Sequence, residues 1–439
     1  MKNQSIKRLL TFTVLFLILL VVAIFHMEDY DQVWTYGFSY NISRGLIPYR
    51  DFNMIIGPLY NLLFSIPMLL FGNYLMAFKI FHLIIYSIIL TIVYEKVGNR
   101  VLWIIAFLAI QSAFCWYNVF VGMLTICILI LLDSNNKYKD LWIGLIIGFI
   151  LMTKHNIGLA LFLVYFFTVP SKKSILYVFI PVFLTGIYLL CTHTLFAYID
   201  FCYLGMGGFI SNLIISPVGL LFTIFVIYYY VKRYRKTKDI KILYVLSFLV
   251  MVFPLLERSH LLLGTVPMIY YIIKEENHSL IYKAMGCFIV PVFLISLVSI
   301  SKTEVITDSN FFQYNSIAKG LNSNFKQYVK YINQLDGDVY LFTGNAYILR
   351  LYNNETTSFY DLINNGNLGR DENKYLEELD KKCKMKKCNF ILDKDFFREK
   401  KVGWQISFSF KDFVIDHYDF VEILPSQDRL YNNEKRINN

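Results

Sequence analysis

The chain has 439 residues, of which 56% are hydrophobic and 17% charged, and its formal net charge is +10. Soluble domains are about 45–50% apolar and about 25% charged, so this composition excludes an ordinary soluble enzyme. Together with a mean hydropathy of +0.49, it indicates an integral membrane protein. The excess of positive charge lies in the first 300 residues, because residues 301–439 hold 20 Lys and Arg against 20 Asp and Glu.

Basic residues of the first 300 positions fall in short segments beside apolar runs. Such clusters are typical of cytoplasmic loops of membrane proteins and of contact with anionic lipid, and they do not indicate a nucleic-acid site. The residues concerned are Lys2, Lys7, Arg8, Lys96, Arg100, Lys137, Lys139, Lys172, Lys173, Lys232, Arg233, Arg235, Lys236, Lys238, Lys241, Lys274 and Lys283.

The first apolar runs differ in character. Residues 9–27 follow a basic start and no small-residue cleavage site comes after them, which predicts an uncleaved first span. The stretch 54–72 contains Pro58 and Pro67, which interrupt the hydrogen bonding that a lipid-exposed helix needs. We therefore expect 54–72 to lie at the membrane interface without crossing.

With that choice the sequence predicts about eleven transmembrane helices. Every basic loop then lies on the cytoplasmic side together with the N-terminus, whereas the EDYD segment, the loop 196–211 and the C-terminal residues lie outside. The spans after the first are expected near 74–95, 101–117, 118–132, 141–154, 156–169, 174–195, 212–231, 240–256, 260–273 and 280–300.

Residues 301–439 are polar and rich in Asn, and they predict a small extracytoplasmic α/β domain that follows a membrane domain at 1–300. Short β-type runs (DVYLFTG, CNFILD and DFVEIL) alternate with a helical stretch, NKYLEELDKKCKMKK. Cys383 and Cys388 lie in KKCKMKKC, and unpaired thiols are favoured over a small disulfide there. The other cysteines are expected to pack in or beside apolar runs and indicate no metal site.

Three carboxylates stand directly after the first span, where charge is costly: Glu28, Asp29 and Asp31. One interpretation is a solvated cap at the helix end. However, an aromatic-rich stretch follows them and predicts a helix at the membrane surface, which would leave the carboxylates in a partly dry cleft. At helical spacing Glu28, Asp31 and Thr35 share a face. Because a carboxylate in such a cleft can remove a proton from a hydroxyl, the residues leave a cap and a general base equally open.

The following segment, residues 43–72, reads SRGLIPYRDFNMIIGPLYNLLFSIPMLLFG. An acidic residue after the first span, then G-x-x-PYRDF, then GPL and an amphipathic run ending in FG resemble the membrane glycosyltransferases of the GT-C superfamily. The bacterial branch similar to protein O-mannosyltransferases and to the lipid A aminoarabinose transferase is the nearest in pattern. The resemblance is best over residues 8–100, and TKHNIGL, ERSHLLLGTVP and an external C-terminal domain extend it in layout.

The resemblance implies a GT-C-like polytopic α-helical fold and a catalytic base in the first external loop, residues 27–73. Counting back from Gly45 puts Asp31 at the position of the base, with Asp29 as the second choice. The family often has Asp-Glu there, whereas this chain has Asp31-Gln32, so Glu28 or Asp29 would have to supply a second carboxylate.

The implied donor is a sugar on a polyprenyl phosphate, transferred with inversion. A phosphate leaving group needs positive charge at the outer membrane face, and for each basic candidate the alternative is a side chain that reaches to the interface. The candidates are Lys154, His155, Arg258 and His260 at predicted outer ends of spans, and Arg44 and Arg50 in the first loop.

Other polar residues have weaker assignments. Asp51 would orient Arg50 or, more simply, serve as a turn residue. Asp200 lies in an external loop whose glycines Gly205, Gly207 and Gly208 predict a mobile segment over a cleft. For His260 two interpretations are equally open: a neutral imidazole that binds sugar, phosphate or a divalent metal, and a structural hydrogen bond. No cofactor is implied with certainty.

The sequence thus predicts a multi-pass glycosyltransferase of the bacterial plasma membrane with an active site that opens outward. Its partners would be the polyprenyl-phosphate sugar donor, the lipid bilayer and a glycan, lipid or protein acceptor, with no nucleic acid. Two alternatives are a polysaccharide polymerase or ligase, and a flippase or transporter of lipid-linked sugars. The first usually carries its external segment between late spans, and the second favours mid-span charges and repeats, which this chain lacks.

Overall fold

The computed structural model describes the helices at the start of the chain almost completely and the C-terminal part in segments. The described residues are 2–25, 30–72, 75–111, 114–169, 171–205, 214–252, 255–256, 258–275, 294, 303–306, 315–318, 330–332, 334–342, 369–392, 394–397, 408–424 and 427–433. They are mostly helical.

The helices of the first 275 residues lie where the apolar runs predict them. They are α1 (Lys2–Phe25), α2 (Tyr30–Ser43), α3 (Pro58–Phe71), α4 (Leu75–Val97), α5 (Val101–Ala109), α6 (Tyr117–Leu132), α7 (Lys139–Leu151), α8 (His155–Thr168), α9 (Leu176–Cys191), α10 (Leu195–Ile199), α11 (Pro217–Thr237), α12 (Lys241–Phe248), α13 (Arg258–Gly264) and α14 (Val266–Glu275). Two short strands, β1 (Ile214–Ile215) and β2 (Leu255–Leu256), pair in parallel.

Three helical segments are long and apolar enough to cross a membrane, namely Gln4–Ile24, Leu75–Ala109 and Lys172–Cys191. The first carries an exposed apolar stripe at helical spacing along α1, formed by Leu10, Val14, Leu17 and Val21. Such a stripe suits lipid contact. The predicted span 212–231 corresponds to the 21-residue helix α11, which ends in a basic segment. Most other predicted spans correspond to shorter helices, and the last one, 280–300, lies outside the described residues apart from residue 294.

The chain divides into two compact units. One contains Met1–Gln32, Ile56–Ile187 and Leu213–Ala318, and the other contains Val33–Ile55, Tyr188–Asn212 and Lys319–Asn439. This division differs from the boundary predicted at residue 300. The segments Val33–Ile55 and Tyr188–Asn212 belong with the C-terminal residues. Their contacts join residues that are distant in sequence, and composition alone does not reveal such contacts.

In the first unit α1 and α4 pack antiparallel along their length. At one end Arg8 Nε donates to Glu95 Oε1 at 2.5 Å, and at the other end Lys79 Nζ donates to the Ala23 carbonyl at 3.2 Å. Between these ends Leu15 and Leu19 of α1 are buried. The pair therefore defines two ends of the unit, one beside Arg8 and one beside Ala23.

Ion pairs gather at the Arg8 end of the unit, where α6 and α14 terminate and α12 begins. Lys241 Nζ lies 3.0 Å from Asp133 Oδ1 and 2.6 Å from Glu275 Oε1, and Lys274 also pairs with Asp133. Arg100 Nη1 donates to the Ile273 carbonyl at 2.8 Å, which ties the start of α5 to the same place. Basic loops from distant parts of the sequence thus meet at one end, as a common membrane side requires.

The proline-containing helix α3 has 14 residues, or about 21 Å at 1.5 Å per residue, which is short of the ~30 Å hydrocarbon core. It packs on α4 through Tyr60, whose hydroxyl lies 2.7 Å from His82 Nε2. His82 Nδ1 faces the Phe78 carbonyl at 2.9 Å. A carbonyl only accepts, so Nδ1 carries the proton, Nε2 accepts, and the Tyr60 hydroxyl donates. This buried bond fixes α3 against α4.

The C-terminal part forms the predicted small α/β fold. Its strands and helices are β3 (Thr303–Ile306), β4 (Asn315–Ala318), β5 (Asp338–Phe342), α15 (Glu372–Cys383), β6 (Cys388–Leu392), α16 (Phe408–His417), β7 (Asp419–Ile423) and β8 (Arg429–Asn432). β3 and β4 form an antiparallel pair, and a second sheet has the order β5-β6-β8-β7, in which only β5 and β6 run parallel. Leu379, Phe390, Phe410 and Val414 form the core between this sheet and its helices.

Cys383 and Cys388 form a disulfide, so the expectation of unpaired thiols was wrong. Their Cα atoms are 5.6 Å apart, and both residues are buried in the core. The chain turns between the end of α15 and the start of β6, which brings the two thiols together. A separation of five residues does not by itself reveal that turn. The bond suits an oxidising compartment.

Candidate functional site

The three acidic candidates lie at the limit of what the structure describes. Glu28 and Asp29 are outside the described residues, and Asp31 belongs to the first turn of α2, with its backbone described and its side chain not. The next residue, Gln32, is fully buried. The contacts of Gln32 therefore define the surroundings of this first turn of α2.

Gln32 connects the start of α2 to the segment before α6. Its Oε1 accepts a hydrogen bond of 2.7 Å from the backbone N–H of Cys115, and both residues are buried. A buried, unpaired N–H costs about 1–3 kcal/mol, so this contact holds the two segments in register. Gln32, at the position where the resembling family often has Glu, thus fixes the backbone that carries Asp31.

Helices α7 and α8 form a tight hairpin with its tip at residues 152–154. Gly158 lies against the backbone of Leu151, where an added Cβ would stand 2.2 Å from the Leu151 Cα. The GPL segment closes this tip from outside: Gly57 N–H donates to the Thr153 carbonyl at 3.0 Å, and Leu59 N–H donates to the Met152 carbonyl at 3.3 Å. Two of the motifs, GPL and TKHN, therefore touch.

Lys154 follows directly after the hairpin tip. Its Nζ lies over the ring of Tyr117, 5.2 Å from the centroid, and that ring meets Tyr60 edge-on at 6.2 Å. A cation on an aromatic face is attracted by the ring quadrupole. The side chain of Lys154 is half-buried, so the ammonium is held at a defined point.

These contacts form a hairpin-tip cluster, defined here as Gln32, Gly57, Tyr117 and Lys154. Tyr117 begins the 16-residue helix α6, so it lies about 24 Å from the ion pairs at the other end of that helix. The cluster therefore belongs to the end of the unit away from the basic loops. Sequence reasoning chose Lys154 but missed Tyr117, whose aromatic character is common in this chain.

Lys79 belongs to the same end of the unit and was also missed. It is 1% exposed within the apolar helix α4 and donates to the Ala23 carbonyl, two residues before the end of α1. An ionisable residue inside an apolar span is by default a functional candidate. That rule, applied to the run LMAFKIFHLII, would have found it.

The other basic candidates of this unit are less informative. His155 is the first residue of α8 and half-buried, and His260 lies half-buried in α13. Arg258 begins α13, but its side chain is outside the described part. Neither His260 nor Arg258 is brought to the hairpin tip by a described contact.

The second unit contains the PYRDF segment, which leaves α2 through a Schellman motif. Leu46 N–H donates to the Asn41 carbonyl at 3.1 Å and Gly45 N–H to the Ile42 carbonyl at 2.9 Å. Gly45 has φ +85°, the left-handed conformation that this cap requires and that favours glycine. This turn accounts for the glycine between α2 and PYRDF.

Asp51 closes the turn that follows. Its Oδ2 accepts from the Ile47 N–H at 2.7 Å, and its two oxygens each accept from Arg50 at 2.9 Å. It therefore does both things considered for it, since it holds the loop and orients Arg50. Burial alone would raise the pKa of Asp51, but Arg50 and the Ile47 N–H outweigh it and hold that pKa below its usual value.

Arg44, the second basic candidate of the loop, is held locally. Its Nη1 lies 3.1 Å from the Tyr40 hydroxyl, and its guanidinium lies 5.6 Å from the same ring's centroid. Tyr49 of PYRDF is buried and packs on Tyr198 at 5.3 Å between ring centroids. Aromatic contacts thus fix both ends of the segment.

The C-terminal helix α15 contributes Lys382 to this unit. Burial lowers the pKa of Lys382, and the neighbouring Lys386 lowers it further, while Asp51 acts in the opposite direction. The charge of Lys382 in turn helps to lower the pKa of Asp51. Arg50 and Lys382 are therefore two cations that share one carboxylate, a relation that no sequence pattern indicates.

Asp200 was expected in a loop, but the chain is helical there. α10 continues into a π-helix, Asp200–Leu204, and Asp200 Oδ1 accepts from Arg370 Nε at 2.7 Å. An added Cβ on Gly205 would lie 2.6 Å from the Gly369 Cα. The absence of a side chain at Gly205 therefore permits this close packing. Gly207 and Gly208 lie outside the described residues.

Within the part of the chain that the structure describes, no three His, Cys, Asp or Glu side chains gather in a way that could hold a metal ion. Comparisons with protein-family models, with curated proteins and with solved structures found no match.

Proposed function

We propose that this protein is an inverting glycosyltransferase with a GT-C-like architecture of about eleven membrane spans. It transfers a sugar from a polyprenyl-phosphate donor to a cell-envelope acceptor at the outer face of the bacterial plasma membrane. The acceptor is a glycan, a lipid or a protein.

The observation that carries the proposal is the hairpin-tip cluster. Two motifs that are distant in sequence, GPL and TKHN, meet there, because the Gly57 N–H donates to the Thr153 carbonyl. Lys154 lies over the Tyr117 ring at 5.2 Å, and Gln32, the residue after Asp31, accepts from the N–H of Cys115, two residues before Tyr117. A fixed cation and a carboxylate candidate are the pair that sugar transfer from a phosphate requires.

In the proposed reaction Asp31, or Asp29 in its place, takes the proton from an acceptor hydroxyl. The acceptor oxygen forms a bond to the anomeric carbon while the bond from that carbon to the phosphate oxygen breaks. The polyprenyl phosphate leaves with the electron pair, and Lys154 stabilises its charge. Attack on the face opposite to the leaving group inverts the anomeric centre.

The second unit is proposed to select the acceptor. Arg50 is 54% exposed at its side chain although Asp51 orients it, so the guanidinium remains accessible. With Lys382 nearby, the loop offers positive charge to an anionic or hydroxyl-rich acceptor. Neither residue would take part in bond breaking.

The first experiment measures envelope glycan composition by mass spectrometry in a strain that lacks this gene. Complementation uses the wild-type chain, Asp31→Asn or Asp29→Asn. We expect one sugar to disappear in the deletion strain and to return with wild type but not with Asp31→Asn. If both Asn variants restore the sugar fully, the base assignment is wrong.

A second experiment tests Lys154 with purified protein and a synthetic polyprenyl-phosphate sugar. Lys154→Met should lower kcat by about 10²–10³, the usual effect of removing one charge-stabilising donor. Lys172→Met is the matched control, because the Lys172 Nζ also lies over an aromatic ring, that of Phe166 at 4.7 Å, but away from the cluster. Equal losses in the two variants would contradict the assignment.

The same measurements separate the alternatives. Shorter glycan chains with an unchanged repeat would favour a polymerase or ligase. Protein-dependent movement of the lipid-linked sugar across liposomes, with no transfer to an acceptor, would favour a flippase.

A further inference from the structure

An open groove runs along α1 where this helix faces the turn between α4 and α5. Its volume is about 320 Å³, at the lower end of the ~300–1,000 Å³ of small-molecule sites. One wall is the α1 face formed by Leu10, Val14 and Ile18, and Leu102 lies on the opposite wall. Leu10, Val14 and Leu102 are each more than half exposed, so the apolar surface of the groove is uncovered.

Polar groups are confined to one end of the groove. They are Lys7, Thr11, Tyr94 and Asn99. Among the described residues their side chains make no hydrogen bond or ion pair, whereas the adjacent Arg8 is occupied by Glu95. An ammonium, two hydroxyls and an amide therefore line this end of the groove next to a long apolar wall.

The dimensions fit one leaflet of a bilayer. From Lys7 to Ile18 the helix rises about 17 Å, and half of a ~30 Å hydrocarbon core is about 15 Å. The groove opens on α1, one of the helices long enough to cross a membrane. Its polar end coincides with the Arg8 end of the unit, where the basic loops meet and where anionic headgroups concentrate.

We propose that this groove binds one acyl chain of an anionic phospholipid, with the headgroup phosphate held by Lys7 and hydrogen-bonded by Tyr94 and Asn99. The site lies at the end of the unit opposite to the hairpin-tip cluster. It is distinct from the proposed donor site and does not depend on transferase activity. A bound lipid would fasten α1 to the start of α5.

The test is native mass spectrometry of the full chain in detergent, titrated with phosphatidylglycerol or phosphatidylcholine of equal chain length. Wild type should bind the anionic lipid more tightly. Lys7→Ala should weaken that binding about fivefold, the contribution of one lysine near an anionic surface, and should leave phosphatidylcholine unchanged. Lys96→Ala is the control, since Lys96 is exposed at the same end but does not line the groove.

Filling the groove tests its apolar part. Val14→Trp should abolish tight binding of both lipids, whereas Leu17→Trp, on an exposed α1 position outside the groove, should not. The proposal is overturned if Lys7→Ala and Lys96→Ala behave alike, because general charge at the membrane surface would then explain binding. It is also overturned if Val14→Trp binds like wild type, since the lipid would then be an ordinary annular one.

Discussion

Gly57→Ala tests the contact on which the hairpin-tip cluster depends. A Cβ at this position would lie 2.0 Å from the Met152 carbonyl oxygen, 2.3 Å from its carbon and 2.9 Å from the Thr153 nitrogen. All three are backbone atoms, so no side chain can rotate away to make room. The tip of the hairpin or the start of α3 must shift.

The magnitude follows from three contributions. Overpacking costs about 1–3 kcal/mol, and the strained hydrogen bonds to Thr153 and Met152 lose about 0.5–1.5 kcal/mol each. Alanine also stabilises the folded state by about 0.4–1 kcal/mol, because it lowers the conformational entropy of the unfolded chain. This gain applies here since Gly57 has φ −63°, which alanine adopts freely. We expect a net loss of about 1–5.5 kcal/mol.

The assay is thermal unfolding in detergent, followed by the reaction of a thiol-specific dye with the buried Cys115. Gly186→Ala is the matched control, since a Cβ on this helical glycine meets nothing within 4 Å. It should unfold at or above the wild-type temperature, because alanine is the better helix former. Similar unfolding temperatures for the two variants would refute the close approach of GPL to the hairpin tip.

Three further outcomes are expected. Replacing Cys383 and Cys388 by Ala should cost about 2 kcal/mol for so short a loop, and in the wild-type chain maleimide should label these thiols only after reduction. The pKa of Asp51 is lower in the folded protein than in the unfolded chain. The ionised Asp51 therefore contributes its full stabilisation of the folded state above the usual aspartate pKa near 4, and this contribution is lost as the pH falls through the pKa of the folded protein. Proteolysis of the loop at residues 47–52 should therefore accelerate in acid, and Asp51→Asn should be cleaved rapidly at every pH. Asp200 and Arg370, with side-chain exposures of 21% and 65%, should show a coupling of about 0.2–1 kcal/mol in a double-mutant cycle; zero coupling would remove this pair as a link between their segments.

The sequence by itself determined most of the secondary structure. Apolar runs long enough for helices and a polar C-terminal segment with short β-type runs both follow from local composition. DVYLFTG, CNFILD and DFVEIL became β5, β6 and β7, and NKYLEELDKKC became most of α15. Patterns of this kind depend only on neighbouring residues, so they can be recognised without knowledge of the fold.

Tertiary structure decided which of those elements meet. The sequence indicates only that a helix starts at Gly57. In the structure its missing side chain makes room for the Met152 carbonyl, almost a hundred residues later in the chain. Cys383 and Cys388 became a disulfide because α15 ends in a turn toward β6. Asp200, expected in a loop, lies in a π-helix and pairs with Arg370. Each contact joins atoms whose separation depends on how the helices pack, and the hydrophobic effect that packs them is non-directional, so no local pattern encodes the pairing.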